Sequence, residues 1–486
     1  MASIDEIRSA RLNKLNYLVE KGIDPYPSIS NRDITCGEAS KRFDTLVKEG
    51  KSLYMVGRIM ALRAQGKIIF IDIDDGTGRF QALLKKGEPL PLETFELFEK
   101  AFDIGDFVEV RGTLFLTKKE EKTILVEKLR MLSKSLRPLP EKWHGLQDHE
   151  TRLRHRYLDL LFNPKEKEIF RLKEKFWDVT RNFLKKENFA EVETPSLEVT
   201  TGGAEARPFR THHIDLDIDL YLRISVGELW QKRLMSAGYE KTFEIGRVYR
   251  NEGSSPEHVQ EFTNLEFYAS YMNFDEGKTF VQKLYRTIAQ EVFGKTAFET
   301  RGHKFDLSDE WQELDYVSTI EKIAGVNVIT DNEKILKSKL DELGIEYVGD
   351  NRERMTDSLW KYCRKTISGP AFLINHPKLV APLSKVHSDN AELTKTFQVI
   401  LAGSELGRAH SELNDPIDQA KRFEKQGELI ERGDEEAMMP DAEFVEMLEY
   451  GMPPTFGFGF GERLFAFMVD KPLREVQIFP LMKPKG

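Results

Sequence analysis

Gly457-Phe458-Gly459-Phe460-Gly461-Glu462-Arg463-Leu464 puts glycine at every second position of an apolar run and then turns to charge. In an extended strand alternate residues share a face. One face of this strand is therefore bare backbone, against which a flat ligand can lie. The other face is a row of phenylalanines. Arg463 follows where a helix begins, within reach of a phosphate. The glycine spacing is not that of the dinucleotide fingerprint, and no Walker-type loop occurs in the chain. Taken alone, alternating Gly-Phe is equally a tightly packed core strand.

A second stretch carries complementary chemistry. Phe243-Glu244-Ile245-Gly246-Arg247-Val248-Tyr249-Arg250-Asn251-Glu252-Gly253 opens a polar loop that passes His258 and returns through Glu261-Phe262-Thr263-Asn264-Leu265-Glu266-Phe267-Tyr268. The spacing predicts strands at 242–250 and 262–271. Their loop, roughly ten residues, is longer than the two to five of an ordinary hairpin. Arg250 stands where strand becomes loop, and a guanidinium held there can fork onto phosphate oxygens; alone, the same pattern is a surface Arg–Glu hairpin. Upstream, Ile169, Leu172, Phe176, Val179 and Phe183 recur at helical spacing. Ile214, Leu216, Ile218, Leu220, Leu222 and Ile224 alternate with Asp215, Asp217, Asp219 and Arg223, which predicts a half-buried antiparallel strand over 214–224. Residues 295–370 read as a mostly helical insertion. Strands and helices without strand–helix–strand order make the class α+β, an antiparallel sheet flanked by helices.

The first third differs in character. Residues 1–50 read as a helical segment broken at Pro25 and Pro27. Residues 51–136 hold short strands, among them Ile68–Ile73, the turn Asp75-Gly76-Thr77-Gly78, Arg79–Leu84, Phe107–Leu116 and Thr123–Leu132. That number of short strands suits a small closed barrel of the OB type. Residues 137–150, with Arg137-Pro138-Leu139-Pro140, read as a linker, and 151–486 as the second domain. With 72 basic and 81 acidic residues the net charge is −9, so any nucleic-acid site is a local patch. Cys36 and Cys363 provide neither a disulfide framework nor a zinc set. No signal peptide and no apolar stretch approaching the ~20 residues of a membrane span are read, so a cytoplasmic protein is expected.

Together the two opening stretches resemble motifs 2 and 3 of the class II aminoacyl-tRNA synthetases. The helix 165–188 with Phe189-Ala190-Glu191-Val192-Glu193-Thr194-Pro195 resembles motif 1, which in that family builds a homodimer interface ending at the proline, here Pro195. Thr201–Phe209, Thr211-His212-His213, Ser411–Pro416, Leu136–Pro140, His144–Asp148 and the barrel run Val56–Met60 through Gln81 look like the lysyl members, in a resemblance covering roughly 10–486. No basic extension precedes the barrel, which points to the bacterial type.

The resemblance implies ATP-dependent ligation of L-lysine to tRNA(Lys) through a lysyl-adenylate, with Mg2+. It implies that Arg250 and Arg463 are catalytic. The ATP site would comprise Arg250, Glu252, His258, Phe262, Glu405, Gly459, Gly461 and Arg463. The lysine site would comprise Gly203, Glu228, Arg250, Glu266, Tyr268 and Glu412, and the metal ligands would be Glu405 and Glu412. Arg63, Phe70 and Gln81 would contact anticodon bases. The chemistry is consistent: a lysine side chain is a compact cation on an apolar stem, wanting carboxylates at its tip and an aromatic wall. An OB barrel binds single-stranded bases by stacking and edge hydrogen bonds, although alternation sends some barrel phenylalanines, Phe70 or Phe80, into the core.

The sequence departs from the lysyl pattern at four places. Gln398 stands where a second metal-binding glutamate is usual. Arg408-Ala409-His410 stands where an asparagine and an aromatic residue touch the amino acid, and a cation there repels a cationic substrate unless it turns away or is paired. Glu462 replaces aspartate in a shortened motif 3, and Ser225-Val226-Gly227 replaces a proline-containing step. Alternative readings are a sister ligase for aspartate or asparagine, a paralogue that transfers lysine-like groups to protein, and a non-catalytic RNA-binding module.

Overall fold

The computed structural model describes residues 3–140, 148–204, 206–253, 255–347, 351–434 and 436–484. The motif residues His144–Gln147 and Glu205 lie outside the described residues. The chain divides into two compact units, Met1–Gln147 and Asp148–Gly486.

In the first unit β1 (Leu53–Gln65), β2 (Ile68–Asp74), β3 (Arg79–Lys85), β4 (Phe107–Leu116) and β5 (Lys122–Ser133) close a barrel in the order β1-β2-β3-β5-β4. Period-two alternation is what makes it a barrel with an inside: in β3 Phe80, Ala82 and Leu84 are buried while Arg79 and Lys85 are exposed. Gly112 lies at a register shift between β4 and β5, where a Cβ would collide with the Leu125 carbonyl oxygen. The helices Ile4–Glu20 and Cys36–Lys41 each start in a capping box, on Ser3 and Thr35. Leu18, Cys36, Phe43 and Leu46 pack into the same core as Met55, Ile71 and Phe80. The segment 1–50, expected as a separate stretch, is thus part of the barrel unit.

The second unit carries β6 (Ala190–Glu191), β7 (Leu197–Glu198), β8 (Arg210–His213), β9 (Ile218–Leu222), β10 (Lys241–Tyr249), β11 (Glu261–Ser270), β12 (Ala297–Thr300), β13 (His303–Asp306), β14 (Gln312–Asp315), β15 (Ala371–Pro377), β16 (Leu393–Leu401), β17 (Ser404–Ser411) and β18 (Thr455–Gly461). Eight of them form one sheet, β14-β15-β16-β17-β18-β11-β10-β6. It is antiparallel except at its two edges, β6 with β10 and β14 with β15. Phe456, Phe458 and Phe460 of β18 join Phe243, Phe267 and Phe397 in the core under the sheet, closed by Phe176 and Phe183 of the helix Pro164–Lys186 and Leu284 and Tyr285 of the helix Phe274–Ile288.

Two expectations are corrected. The alternating run 214–224 is not one strand. Residues 214–217 form a turn between β8 and β9, with Asp217 at φ 51°. Ile214 and Leu216 are 87% and 65% exposed on that turn. Alternation reports a two-sided surface only if the backbone stays extended, and the turn interrupts it. The region 295–370 is also less helical than read: it opens with the hairpin β12–β13 and lends β14 to the main sheet before the helices Tyr316–Ala324, Glu333–Glu342 and Arg352–Cys363.

Candidate active site

The floor of the site is β18. Gly457, Gly459 and Gly461 lie opposite Tyr268, Glu266 and Asn264 of β11, and Gly457 and Gly459 opposite His410 and Arg408 of β17. With the phenylalanines committed to the core, the glycines leave an open trough, part of a cavity of about 550 Å³. A Cβ on Gly459 would stand 2.8 Å from Glu266 Cγ, and one on Gly461 3.2 Å from Phe262 Cε2.

One end of the trough is acidic. Glu228 opens the helix Glu228–Ser236 behind Gly227, whose φ of 67° turns the chain into it. Its carboxylate meets those of Glu266 and Glu412 around the Tyr268 ring, all lining the cavity. Glu266 accepts from the Val226 amide (2.8 Å), Asn264 Nδ2 (3.1 Å) and the Tyr268 hydroxyl (3.1 Å). Lys232, one turn along the helix from Glu228, places Nζ 3.0 Å from Glu228 Oε1 and 2.6 Å from Glu412 Oε2. Burial and then Glu228 push Glu266 up to about 8. Burial lifts Glu412 to about 8 as well, against the pull of Lys232. The cost of burying Lys232 is overcome by Glu228 and Glu412, so its ammonium stays charged. Burial and crowding thus favour the protonated forms of Glu266 and Glu412 in the empty site, and the two titrate together as a set.

The other end gathers the guanidinium groups, interleaved with the carboxylates of Glu252, Glu257 and Glu405. Arg250, just past β10, donates through Nε to the Ile224 carbonyl (3.3 Å) and lies 5.3 Å over the Phe262 ring. Arg463 donates to the Glu405 backbone carbonyl (2.7 Å), and its Nη1 is 3.6 Å from Glu257. Arg364 and Lys361 complete the group. Glu252 lines the same wall, its carboxyl raised by burial. His258 bonds to Ser255 Oγ (2.8 Å); burial and Arg463 lower it to about 4, so it is neutral at ordinary pH and serves as a hydrogen-bonding group rather than a cation.

The donors fit one magnesium ion brought in with phosphates. Glu405 accepts from Trp360 Nε1 (2.5 Å), and although burial works against ionisation, Arg364 and Arg463 hold its carboxyl low. Mg2+ is usually held by one or two carboxylates plus substrate phosphates and water. No group of three or more metal-ligating side chains occurs among the described residues. Glu412, the second ligand that the sequence suggests, lines the same cavity as Glu405. It stands seven residues along an extended stretch, roughly 23 Å at the strand rise, and is paired with Lys232. The amide oxygen of Gln398 meets His376 Nε2 (3.0 Å).

Residues 148–483 match the family model described as tRNA synthetases class II (D, K and N), and residues 54–132 match the OB-fold nucleic acid binding domain. The chain is 41% identical to proteins named lysine–tRNA ligase from Thermotoga sp. (strain RQ2) and Thermotoga maritima, over 99% of this chain and 97% of each relative. It is 41% identical to that of Roseiflexus sp. (strain RS-1), over 99% of both chains. The chain belongs to the lysine–tRNA ligase family of class II tRNA synthetases.

With the family placed, its departures become legible. Arg408 donates to the Val380 carbonyl (2.6 Å), which draws its guanidinium to the cavity wall. His410 bonds to Thr396 Oγ1 (3.0 Å), and burial, then Arg408 and Lys232, keep it neutral. Glu462 is buried outside the cavity, paired with Lys173 and accepting from the Thr263 amide. Sequence reasoning missed Lys232, Glu257, Trp360, Lys361 and Arg364. Lys232 had a signal, four residues after Glu228 on a helix. The helix Arg352–Cys363 had none in local sequence, since only the sheet order brings it over β17.

In the barrel, Arg63 of β1 is directly opposite Phe70 of β2, and Gln81 of β3 is opposite Asp72. The three share the outer face. Phe70 is half-buried there, while Phe80 is in the core. Gln81 donates to Glu121 (2.6 Å) and accepts from Thr123 Oγ1 (2.9 Å), and Arg63 is 3.4 Å from Asp72.

Proposed function

We propose that this chain activates L-lysine with ATP and transfers it to tRNA(Lys). The observation that carries the reading is the polarity of the trough, with Glu228, Glu266, Glu412 and Tyr268 at one end and Arg250, Arg364 and Arg463 at the other. A substrate lying along it has a cationic tip in the first and phosphates in the second. The lysine carboxylate attacks the ATP α-phosphorus, the bond to pyrophosphate breaks, and the terminal ribose hydroxyl of tRNA then takes the lysyl group from AMP. Neither step needs a protein nucleophile; alignment and charge neutralisation carry the rate. Arg250 is the residue for the α-phosphate and the lysine carboxylate, and Arg463 and His258 for the outer phosphates. Phe262 stacks on adenine with Glu252 near its amino group, and Gly203 lines the lysine side. Mg2+, held by Glu405, neutralises phosphate charge when bound.

Arg63, Phe70 and Gln81 take anticodon bases. The protein acts in the cytoplasm as a homodimer, through the helix 165–188 and Pro195, beside exposed Leu197 and Val199. No helix among the described residues is long and apolar enough to cross a membrane. A pocket for aspartate would need cations where the three glutamates stand. The test is pyrophosphate–ATP exchange with each of the twenty amino acids and ornithine: lysine alone is expected, and exchange with another amino acid or with none refutes the reading.

A further inference from the structure

Lys232 is among the largest fully buried side chains of the protein, and its charge lies inside the wall of the amino-acid pocket. Its ammonium touches one oxygen of each of two carboxylates, Glu228 Oε1 and Glu412 Oε2. Both glutamates line the cavity; Lys232 does not. It stands behind them, 5.8 Å over the Tyr268 ring and 6.0 Å over the Phe444 ring. The remaining oxygens face the trough. Glu228 Oε2 is 2.8 Å from the place a Cβ would take on Gly203, so the absence of a side chain there exposes it. Both Glu412 oxygens are buried without a hydrogen-bond partner of good geometry; Oε2 is held by the ion pair with Lys232, while Oε1 faces Gly457, which is bare for the same reason.

We propose that Lys232 is a specificity-determining positioning residue: it clamps Glu228 and Glu412 from behind, so that one oxygen of each is presented to the substrate at a fixed span. The inference rests on the reading of this cavity as the lysine pocket. It carries two consequences. The first is charge. Lys232 offsets part of the negative charge of Glu228 and Glu412, so that a substrate ammonium meets carboxylates already held in place by a resident cation. The second is reach. A carboxylate tied at one oxygen cannot swing after a shorter side chain, so the pocket rewards the length of lysine over that of ornithine. A flexible pair of glutamates would follow either.

The experiment compares Lys232→Met, which keeps length and removes charge, with Lys232→Arg, which keeps charge, in pyrophosphate exchange with lysine and with ornithine. For Lys232→Met the lysine KM is expected to rise about 30-fold with kcat within about threefold, the pattern of lost uniform binding. Its preference for lysine over ornithine is expected to fall about tenfold, and Lys232→Arg to recover most of both, because a charge-assisted contact is what was removed. Lys232→Gln, which keeps a donor towards both carboxylates, gives the same split if the methionine variant does not fold. An unchanged lysine KM and preference in the uncharged variants overturns the inference. So does tighter lysine binding, which would make Lys232 a competitor, and so does an arginine variant no better than methionine. Wild-type exchange with an amino acid other than lysine overturns the pocket reading itself; lysine exchange that Lys232→Met leaves unaltered overturns this inference alone.

Discussion

Gly457→Ala adds one methyl group to the trough floor at the point where the tip of the substrate belongs. A Cβ on Gly457 would stand 2.6 Å from Tyr268 Cε1 and closer still to Glu412 Oε1. The Tyr268 ring has no room to retreat: it is 3% exposed and its hydroxyl donates to Glu266. Glu412 is therefore the group that moves, away from an ion pair of 2.6 Å with Lys232. Overfilling a packed site costs ~1–3 kcal/mol. Losing a hydrogen bond to a charged group at the substrate costs ~1.5–3 kcal/mol, which is roughly a 10- to 150-fold rise in lysine KM. The phosphate end is untouched, so kcat and the ATP KM are expected to change little. Gly461→Ala is the mirror-image control. Its Cβ would stand 3.2 Å from Phe262 Cε2 and from Asn264 Oδ1, so the ATP KM should rise and the lysine KM should not. Steady-state exchange at varied lysine and varied ATP reads both, with a thermal melt to show that each variant is folded. A folded Gly457→Ala enzyme whose lysine KM stays within about twofold of wild type, or whose ATP KM rises instead, would refute the assignment of the two ends.

Phe262→Leu removes a stacking face worth ~1–3 kcal/mol per base, so the ATP KM should rise roughly tenfold at constant lysine KM; an unchanged ATP KM places adenine elsewhere. Phe70→Ala should lower kcat/KM for tRNA charging by roughly ten- to a hundredfold while pyrophosphate exchange is unaffected, and equal effects on both assays would argue for a misfolded barrel. Lys134→Met leaves Asp103 and Asp106, 2.6 and 2.9 Å from the lost ammonium, without their buried partner, a loss of ~3–5 kcal/mol readable by denaturant melts. Burial works against the Asp103 charge, but hydrogen bonds from Lys134 and Lys14 hold its carboxyl below the usual range. That contribution is therefore present above its unfolded pKa of about 3.9 and lost as pH falls through the folded value, so the barrel should weaken below about pH 4; acid melts that do not move would contradict this.

The trough was legible because its defining pattern has period two. Gly457, Gly459 and Gly461 announce a bare face and Phe456, Phe458 and Phe460 a core face, and β18 obeys both. The barrel was legible for the same reason, but alternation left open which of Phe70 and Phe80 enters the core; the structure puts Phe80 inside and leaves Phe70 half-buried on the outer face. The same signal failed at 214–224, where six apolar residues alternate across a turn, because periodicity carries no information about where the backbone bends. The place of residues 1–50 in the barrel core was out of reach, since it lies in long-range packing of Leu18, Phe43 and Leu46 on strands that follow them. So was the contribution of Trp360, Lys361 and Arg364, which depends on strand order rather than on neighbours in sequence.

The departures at Arg408 and His410 look, in sequence, like cations placed against a cationic substrate. In the structure only Arg408 of the two brings a cation to the cavity wall. His410 is held neutral, and the Arg408 guanidinium is drawn to the Val380 carbonyl. What a substrate side chain meets is Glu228, Glu266 and Glu412, with Lys232 behind them and Arg408 on the same wall. Burial and mutual repulsion push Glu266 and Glu412 up to about 8, so near neutral pH this end keeps a proton that the ionised pocket would release. A second ammonium entering the site favours the carboxylate form, and the proton leaves as lysine binds. The sign follows: proton release makes binding stronger as pH rises, so the lysine KM should fall from about pH 6.5 towards the raised pKa values and level off above them. The ATP KM, governed by arginines and a neutral His258, should not follow the same curve. Proton uptake or release on lysine binding can be read independently, by calorimetry in two buffers of different ionisation enthalpy. A pH-flat lysine KM with no buffer dependence would mean that all three carboxylates are already ionised in the empty pocket, and that some further cation, with Arg408 the nearest candidate, balances them.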